Sequence, residues 1–193
     1  MSVKQKRDIA VRETVEQIKE LFRDGVSVPL LNEAKSLLVA LCAKKELFPR
    51  DDFPLPDGEP VYRTFLIHQD EDGGNALYVN SSLPGQTSCP HDHGGSWAII
   101  AAVAGEEAHR FYVADDDGAL HQVGERVVKP GTAVSMMPDG IHAIEMTKEE
   151  PLLHLHLYGL GFHLQKDRRQ FDLETGTVSR FAIEYVGLIE DAR

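Results

Sequence analysis

The chain has 193 residues, 42% of them hydrophobic, which is enough for one well-buried globular domain. Its formal net charge of −11 argues against a nucleic-acid or anionic-membrane surface, because both attract clustered lysine and arginine. The sequence has no apolar run of roughly 18 residues and no apolar leader, so we expect neither a membrane span nor a secretory signal. Cys42 and Cys89 are its only cysteines. We therefore expect no disulfide framework and a cytoplasmic location.

Residues 1–47 have the pattern of helices. Over residues 5–22 the apolar side chains recur every three or four positions, as they do on one face of a helix. A second helix is predicted to begin near Pro29, a favoured first-turn residue, and to run through Leu41. The segment 48–58 is dense in proline and aspartate and predicts a connecting loop. We expect the helices to pack as a layer on a β-domain.

After Pro60 the pattern changes to short apolar runs that are broken by glycine and aspartate. Eight runs have the length and composition of strands: 62–67, 76–80, 97–103, 109–113, 126–128, 133–136, 143–146 and 152–158. A last hairpin is predicted over 168–173 and 177–186. Many short strands without intervening helices favour a sandwich or barrel. We predict one domain over residues 1–193, in which residues 60–186 form the barrel and the terminal hairpin.

Two histidine segments, residues 90–93 and 138–142, indicate a metal site. His91 and His93 are separated by one residue and would point to the same face of a β-strand, because side chains alternate there. A third histidine from a distant strand, His142, could complete a set around one ion. Neutral imidazole suits zinc, iron, copper and nickel, so the ligands alone do not name the metal. We call these three residues the three-histidine site.

The other histidines carry weaker signals. Glu107 and His109 would share one strand face, and a polar strand face explains this pair more simply than a second metal site does. His68 lies at a strand end, His121 follows a turn, and His163 lies in a glycine-flanked bend. We expect packing or surface roles for these three.

The first histidine segment resembles the first motif of the cupins, which are small double-stranded β-helix barrels. Gly85 stands six positions before His91 and Gly105 closes the motif, but Ala98 stands where the family has a glutamate. Met146 replaces the asparagine of the second cupin motif, which is otherwise matched at Gly131, Pro138, Gly140 and His142. The resemblance implies a mainly β fold, a cupin double-stranded β-helix (jelly-roll) barrel, with an N-terminal helical layer.

The missing glutamate changes the chemistry that is expected. Three neutral histidines leave a divalent ion with its full charge and open positions, which favours an anionic ligand such as a thiolate. This departure resembles the cysteine dioxygenase and 3-mercaptopropionate dioxygenase branch of the cupins, whose members hold Fe(2+) with three histidines and oxidise a thiol to a sulfinate. Segments 62–67, 154–159 and 168–176 are similar to segments of that branch, and the resemblance extends over residues 62–181.

The resemblance implies roles for further residues. The three-histidine site would bind the iron. His156 and Tyr158 would form a relay that places a phenolic hydroxyl near the bound oxygen, where it could orient dioxygen, exchange a proton or stabilise charge. An ordinary strand aromatic is the alternative for Tyr158. His154 stands where the family has serine, so it either donates to His156 or points away.

The candidate substrate-binding residues are Arg168, Thr64 and Trp97. Thr64 stands where the family has an arginine or glutamine that holds the substrate carboxylate, and threonine is too short to bind it bidentately. Arg168 matches a bacterial carboxylate-binding arginine, with an exposed hairpin residue as the alternative. Arg63 is a second possible anchor, although a regular strand would turn it away from Thr64. Trp97 either walls the pocket or packs as a buried strand residue. Ala98 replaces a cysteine that some members crosslink to the tyrosine, so that crosslink cannot form.

The sequence thus predicts an iron-dependent thiol dioxygenase whose partners are dioxygen and a small thiol that bears a carboxylate, with no nucleic-acid or membrane partner. Three other hypotheses stay open: a cupin that uses iron, manganese or nickel on a non-thiol substrate, a zinc site with an activated water, and a metal-dependent sensing or sugar-binding protein without turnover. The sequence does not define an oligomeric state.

Overall fold

The computed structural model describes residues 1–58, 61–146 and 149–183. Its N-terminal part is helical, with α1 over Val3–Leu21 and α2 over Val28–Cys42. The two helices pack against each other, and α2 also packs against the sheet that follows. This is the helical layer that the sequence predicts. In the described part of the chain, no helix is long and apolar enough to cross a membrane.

The helix ends follow local signals in the sequence. A capping box begins α1: Ser2 N–H donates to the Gln5 side chain at 2.9 Å, and Gln5 N–H donates to the Ser2 hydroxyl at 3.1 Å. Pro29 lies in the first turn of α2, as predicted. Cys42 is buried at the end of α2, Cys89 is exposed, and both are free thiols. Two single-turn 3₁₀ helices follow α2, at Lys45–Leu47 and Arg50–Asp52.

Ten strands make up the rest of the described chain: β1 Tyr62–His68, β2 Gly74–Ser82, β3 Ala98–Ala104, β4 Glu107–Ala114, β5 Leu120–Val128, β6 Ala133–Met136, β7 Ile141–Met146, β8 Leu152–Leu160, β9 Arg169–Phe171 and β10 Val178–Arg180. They form antiparallel sheets in the orders β1-β2-β8-β3-β6, β5-β4-β7 and β10-β9. After β3 the chain crosses to the three-stranded sheet for β4 and β5, and it then alternates between the two larger sheets from β6 to β8, which is the winding of a double-stranded β-helix. The prediction of a mainly β jelly-roll fold with N-terminal helices is confirmed.

The five-stranded sheet separates two apolar clusters. Ile99 and Leu157 face the helices, whereas Ile100 and Tyr158 belong to the cluster between the two larger sheets. Because side chains alternate along a strand, the even-numbered residues of β8 point into the barrel and the odd-numbered ones point to the helices. The helix-facing cluster therefore contains Trp97 but none of the predicted metal-binding or catalytic residues, and the barrel interior receives the polar side chains of β8.

The strand bounds differ most from the prediction at β5 and at the terminal hairpin. The sequence predicts only 126–128, but β5 covers Leu120–Val128, because pairing with β4 holds its exposed polar residues in an extended conformation. The hairpin is shorter than the predicted segments: its second strand covers Val178–Arg180, compared with 177–186. Positions 184–186 of that prediction lie outside the described residues.

Trp97 packs tightly over Gly159 in the helix-facing cluster. Its ring meets Phe22, the C-cap residue of α1, edge-on, with centroids 5.0 Å apart. Gly159 N–H donates to the Trp97 carbonyl at 3.1 Å, and a Cβ at position 159 would lie 2.3 Å from Trp97 Nε1. The position therefore accepts glycine alone unless the indole moves.

We expect Gly159→Ala to lower the free energy of unfolding by about 1–3 kcal/mol, because the added methyl group must displace a packed indole ring. Urea unfolding measures this change. Gly124→Ala is the matched control, since its Cβ would meet no atom within 4 Å, and we expect a change within about 0.5 kcal/mol. Equal stability of the two variants would contradict the packing described for Trp97.

Candidate metal centre

The structure brings the three-histidine site together. The donor nitrogens of His91, His93 and His142 lie within 4.8 Å of one another, and His93 Nε2 is 3.2 Å from His142 Nε2. His142 belongs to β7, as expected. The other two lie in the connection between β2 and β3, where His91 makes isolated bridges and His93 lies outside any strand. The prediction that this pair lies on a strand is therefore wrong. The two histidines converge on His142 because contacts with other parts of the chain hold the loop.

Backbone and carboxylate contacts hold this loop. His91 N–H donates to the His142 carbonyl at 2.8 Å, and His142 N–H donates to the His91 carbonyl at 3.0 Å. Between the two loop histidines, the buried Asp92 carboxylate accepts from Gly94 N–H at 3.1 Å, from Arg169 N–H at 2.9 Å and from Arg169 Nε at 2.6 Å. Asp92 thereby ties the loop to β9. The sequence analysis missed this residue, although its place between the two histidines is a usable signal.

The three imidazoles are neutral and can offer lone pairs to a metal. His91 Nδ1 lies 3.0 Å from the Cys89 carbonyl and donates to it, which leaves Nε2 free. Desolvation, followed by the Arg168 cation, lowers the pKa of His91 to about 4. Burial is also the main cause that holds the pKa of His93 and of His142 well below its usual value. Neutral imidazole is the form that binds metal, so this donor set fits a divalent transition metal such as Fe²⁺ or Zn²⁺.

A buried polar pair lies behind His142. His109 Nδ1 is 2.9 Å from His142 Nδ1, and His109 Nε2 is 2.8 Å from Glu107 Oε1. Glu107 is 1% exposed. Burial raises the pKa of Glu107, but His154 and His109 lower it further, so it falls well below its usual value and the carboxylate is ionised. The face that the sequence analysis describes as polar thus points into the barrel.

His154 and His156 occupy separate positions inside the barrel. His154 Nδ1 lies 3.1 Å from Glu107 Oε1, so this side chain points toward the carboxylate and not toward a relay with its neighbour. His156 Nδ1 lies 3.1 Å from the Tyr158 hydroxyl, and its Nε2 lies 3.3 Å from Asn80 Nδ2. Glu107, His154 and His156 also form a second group whose donor atoms lie within 4.8 Å of one another.

Tyr158 lies beside the three-histidine site, with its ring centroid 5.3 Å from that of His93. Desolvation raises the pKa of Tyr158 to about 12, against a smaller opposite effect of Arg168. Desolvation also lowers the pKa of His156 to about 3. Both groups are therefore neutral at ordinary pH, and the phenol keeps its proton.

A cavity of about 270 Å³ connects these groups. Its wall includes His91 of the three-histidine site. It also includes five other candidate residues, which are Thr64, His154, His156, Tyr158 and Arg168. Trp97 is not brought to this wall, because it packs against α1 on the opposite side of the sheet. Arg63 Nη2 lies 3.6 Å from Asp57 Oδ2, and this side chain also stays outside the cavity. This agrees with the expectation that neighbouring strand residues such as Arg63 and Thr64 point to opposite faces.

Arg168 is a buried cation in this wall, at 4% exposure. Its Nη1 donates to Gln165 Oε1 at 2.7 Å, and its guanidinium carbon lies 5.1 Å from the Phe181 ring centroid and 6.0 Å from that of Phe162. Burial lowers the pKa of Arg168, and the nearby Tyr158 side chain opposes this effect. Arg168 Nε has no hydrogen-bond partner among the described residues. One donor of a desolvated cation is thus available beside the cavity.

A two-glycine turn sets the distance between the loop and Arg168. Gly94 and Gly95 have φ angles of +59° and +83°, which favour glycine. A Cβ at position 94 would lie 3.2 Å from both the backbone nitrogen and the Cγ of Arg168. The turn after His93 therefore packs directly on the residue that carries the guanidinium.

The sequence matches no protein-family model and no curated protein. Similar solved structures include an uncharacterized conserved protein with a double-stranded β-helix domain from Klebsiella pneumoniae, at 13% identity, 70% of this chain, 90% of that chain and a TM-score of 0.44. Oxalate oxidase in complex with the substrate analogue glycolate is 14% identical, and the match covers 69% of this chain and 63% of that chain with a TM-score of 0.45. Procruciferin, an 11S globulin from Brassica napus, is 15% identical, and the match covers 44% of this chain with a TM-score of 0.37. It covers 20% of procruciferin, so this chain spans a fifth of that protein's length. At these values the likenesses carry no information about activity.

Replacing any one of His91, His93 or His142 with alanine should remove most of the bound metal, because each supplies one of only three ligand nitrogens. Metal content per chain after dialysis, with circular dichroism as a check of the fold, measures this. His68→Ala and His121→Ala are the controls and should leave metal content nearly unchanged. Full occupancy in all three ligand variants would show that the metal binds elsewhere.

Proposed function

We propose that this chain is an iron-dependent thiol dioxygenase that acts on a small thiol bearing a carboxylate. The overall reaction joins RSH and O₂ to give RSO₂H, so both oxygen atoms end on sulfur and no other reductant is needed. The proposal extends the resemblance of the histidine segments and depends on the chemistry of the cavity wall.

The observation that carries the proposal is a set of three neutral imidazoles that could hold a metal ion, beside a small cavity with a buried cation and a phenol. The set contains no carboxylate, so a bound divalent ion would keep its full charge toward the cavity. Fe²⁺ held there would supply open positions for a thiolate and dioxygen and the electrons that activate dioxygen. An anionic sulfur ligand suits this charge better than a neutral one.

Arg168 is the group that would hold the substrate carboxylate. Its guanidinium is fixed by Gln165 and by the rings of Phe162 and Phe181, so little side-chain entropy is lost when a ligand binds. Thr64 lines the same cavity but offers only a hydroxyl. A contact between a carboxylate and a buried cation contributes about 1.5–3 kcal/mol.

Tyr158 and His156 would manage hydrogen bonding at the reacting atoms. A neutral imidazole donates through one nitrogen and accepts through the other. His156 therefore links the amide of Asn80 to the phenol of Tyr158. Because the Asn80 amide donates to His156 Nε2, the neutral ring carries its proton on Nδ1 and donates it to the Tyr158 oxygen. Because the phenol stays protonated, it can donate a hydrogen bond to an oxygen atom that lies in the cavity, or exchange a proton with the thiol.

Oxygen uptake by the iron-loaded chain with a panel of small thiols tests the proposal. We expect one O₂ consumed per thiol and a sulfinate product with 3-mercaptopropionate. Arg168→Ala should raise the Michaelis constant for this thiol by about ten- to a hundredfold but hardly change that for cysteamine, which has no carboxylate. Arg63→Ala is the matched control, because its side chain lies outside the cavity.

Equal responses of the two thiols to Arg168→Ala would show that the guanidinium supports the fold and does not bind the substrate. The absence of oxygen uptake with every thiol by the iron-loaded wild type would overturn thiol oxidation. The same ligands would then suit a non-thiol substrate or a zinc-activated water.

Tyr158→Phe should keep the fold and the bound iron but lower the rate of thiol oxidation by about a hundred- to ten-thousandfold, in the range of other positioned proton donors. The variant removes only the hydroxyl that His156 contacts. Tyr112→Phe, on the middle strand β4 of the three-stranded sheet and outside the cavity wall, is the control and should leave the rate unchanged. An unaltered rate in Tyr158→Phe would limit Tyr158 to packing.

A further inference from the structure

The contact between His109 and His142 needs one proton and only one. Their Nδ1 atoms lie 2.9 Å apart. Two deprotonated nitrogens at this distance would repel each other through their lone pairs, and two protonated ones would clash. One ring must therefore donate and the other must accept. The choice decides which nitrogen of His142 faces the metal site with a free lone pair.

Glu107 makes this choice. If neutral His109 carried the proton on Nδ1, its Nε2 would turn a lone pair toward the Glu107 carboxylate at 2.8 Å, which is repulsive. With the proton on Nε2, His109 donates a charge-assisted hydrogen bond to the carboxylate and its Nδ1 accepts from His142. His142 then keeps its proton on Nδ1, and its Nε2, which faces His93, is free to bind a metal.

We propose that Glu107 is a positioning residue for the metal centre: through His109 it selects the tautomer of His142 that binds metal. It also places a negative charge behind a ligand set that has no carboxylate of its own. The inference requires the three-histidine metal site and does not depend on thiol oxidation. Neither Glu107 nor His109 touches the metal or the substrate in this role.

The surroundings of Glu107 support positioning over direct metal binding. Its Oε1 lies 2.8 Å from His109 Nε2 and 3.1 Å from His154 Nδ1, so one carboxylate oxygen already faces two imidazoles. His156, the third member of the second donor group, is engaged through both ring nitrogens, by Tyr158 and Asn80. A second ion would have to displace these contacts.

Zinc affinity of the metal-free full-length chain is the first measurement, by competition with a chromophoric chelator. Glu107→Gln should raise the Kd for Zn²⁺ by about ten- to a hundredfold, as removal of an outer partner of a ligand histidine does. The amide can donate as well as accept, so it no longer selects a tautomer. Glu107→Asp keeps the carboxylate and should recover part of the affinity. Glu106→Gln, the adjacent position, is the control and should bind as the wild type does.

The tautomer of His142 is the second measurement, because loss of packing alone would not change it. Nitrogen-15 NMR of the imidazole rings in the metal-free chain distinguishes protonated Nδ1 from protonated Nε2. We expect His142 protonated on Nδ1 in the wild type and a mixture of tautomers in Glu107→Gln. Thermal unfolding of both chains shows whether the variant is folded. If Glu107→Gln does not fold, His109→Gln removes the same connection and should weaken zinc binding to the same extent.

Three results would overturn the proposal. The first is an unchanged Kd for Zn²⁺ in a folded Glu107→Gln chain. The second is a wild-type His142 that carries its proton on Nε2. The third is a wild type that binds two zinc ions per chain and a Glu107→Gln variant that binds one, which would make Glu107 a ligand of a second ion. None of these results bears on whether the iron-loaded chain oxidises thiols.

Discussion

The candidate metal centre depends on one pair of backbone hydrogen bonds, those between His91 and His142. These two residues are far apart in the chain, and their side chains can meet at one point only if the loop before β3 lies in register against β7. Backbone groups carry no side-chain specificity, so this pairing alone would allow the loop to slip. The carboxylate of Asp92 prevents slippage because it accepts two hydrogen bonds from Arg169. The geometry of the three-histidine site is thus a consequence of loop register.

The division between the two apolar clusters explains how a polar interior is tolerated. The helices and one face of the five-stranded sheet bury large aliphatic side chains such as Leu38, Leu155 and Leu157. The opposite face carries histidines, and burial of unpaired polar groups there would be unfavourable. Most of these histidines contact one another, a carboxylate or an amide, so the cost is reduced. The helix-facing cluster supplies the stability that the barrel interior lacks.

Much of the fold could be predicted because its signals are local. The capping box of α1, the proline of α2 and the apolar runs of β3 and β8 all act within a few residues of the chain. The strand β5 was largely missed because its residues are mostly exposed, so that it has no apolar run. The role of Trp97 was ambiguous for a different reason. The face of the sheet that its indole occupies is decided by Gly159 on the neighbouring strand β8 and by Phe22 at the end of α1, both of which are distant in sequence.

The sequence marks the three histidines that the structure brings together, but it does not reveal the residues around them. Histidine spacing and the flanking glycines mark His91, His93 and His142 within their own segments. The connection from Glu107 to His142 depends on β4 lying beside β7, in a register that pairs Phe111 with His142. That register is a long-range property, so no short pattern reveals it. The same reasoning applies to Arg168, whose burial depends on the turn at Gly94 and on the terminal hairpin.

The charges around the cavity favour an anionic ligand. Among the described residues of the wall, Arg168 and Glu107 are the charged ones, and their charges cancel. The three neutral imidazoles add none, so a divalent ion would leave the region with two positive charges that water screens poorly. A substrate with a thiolate and a carboxylate brings two negative charges and neutralises the whole. A substrate with a thiolate alone leaves one positive charge, and a neutral one leaves both. Charge balance therefore supports the proposal that the substrate is a thiol bearing a carboxylate, independently of any direct contact with Arg168.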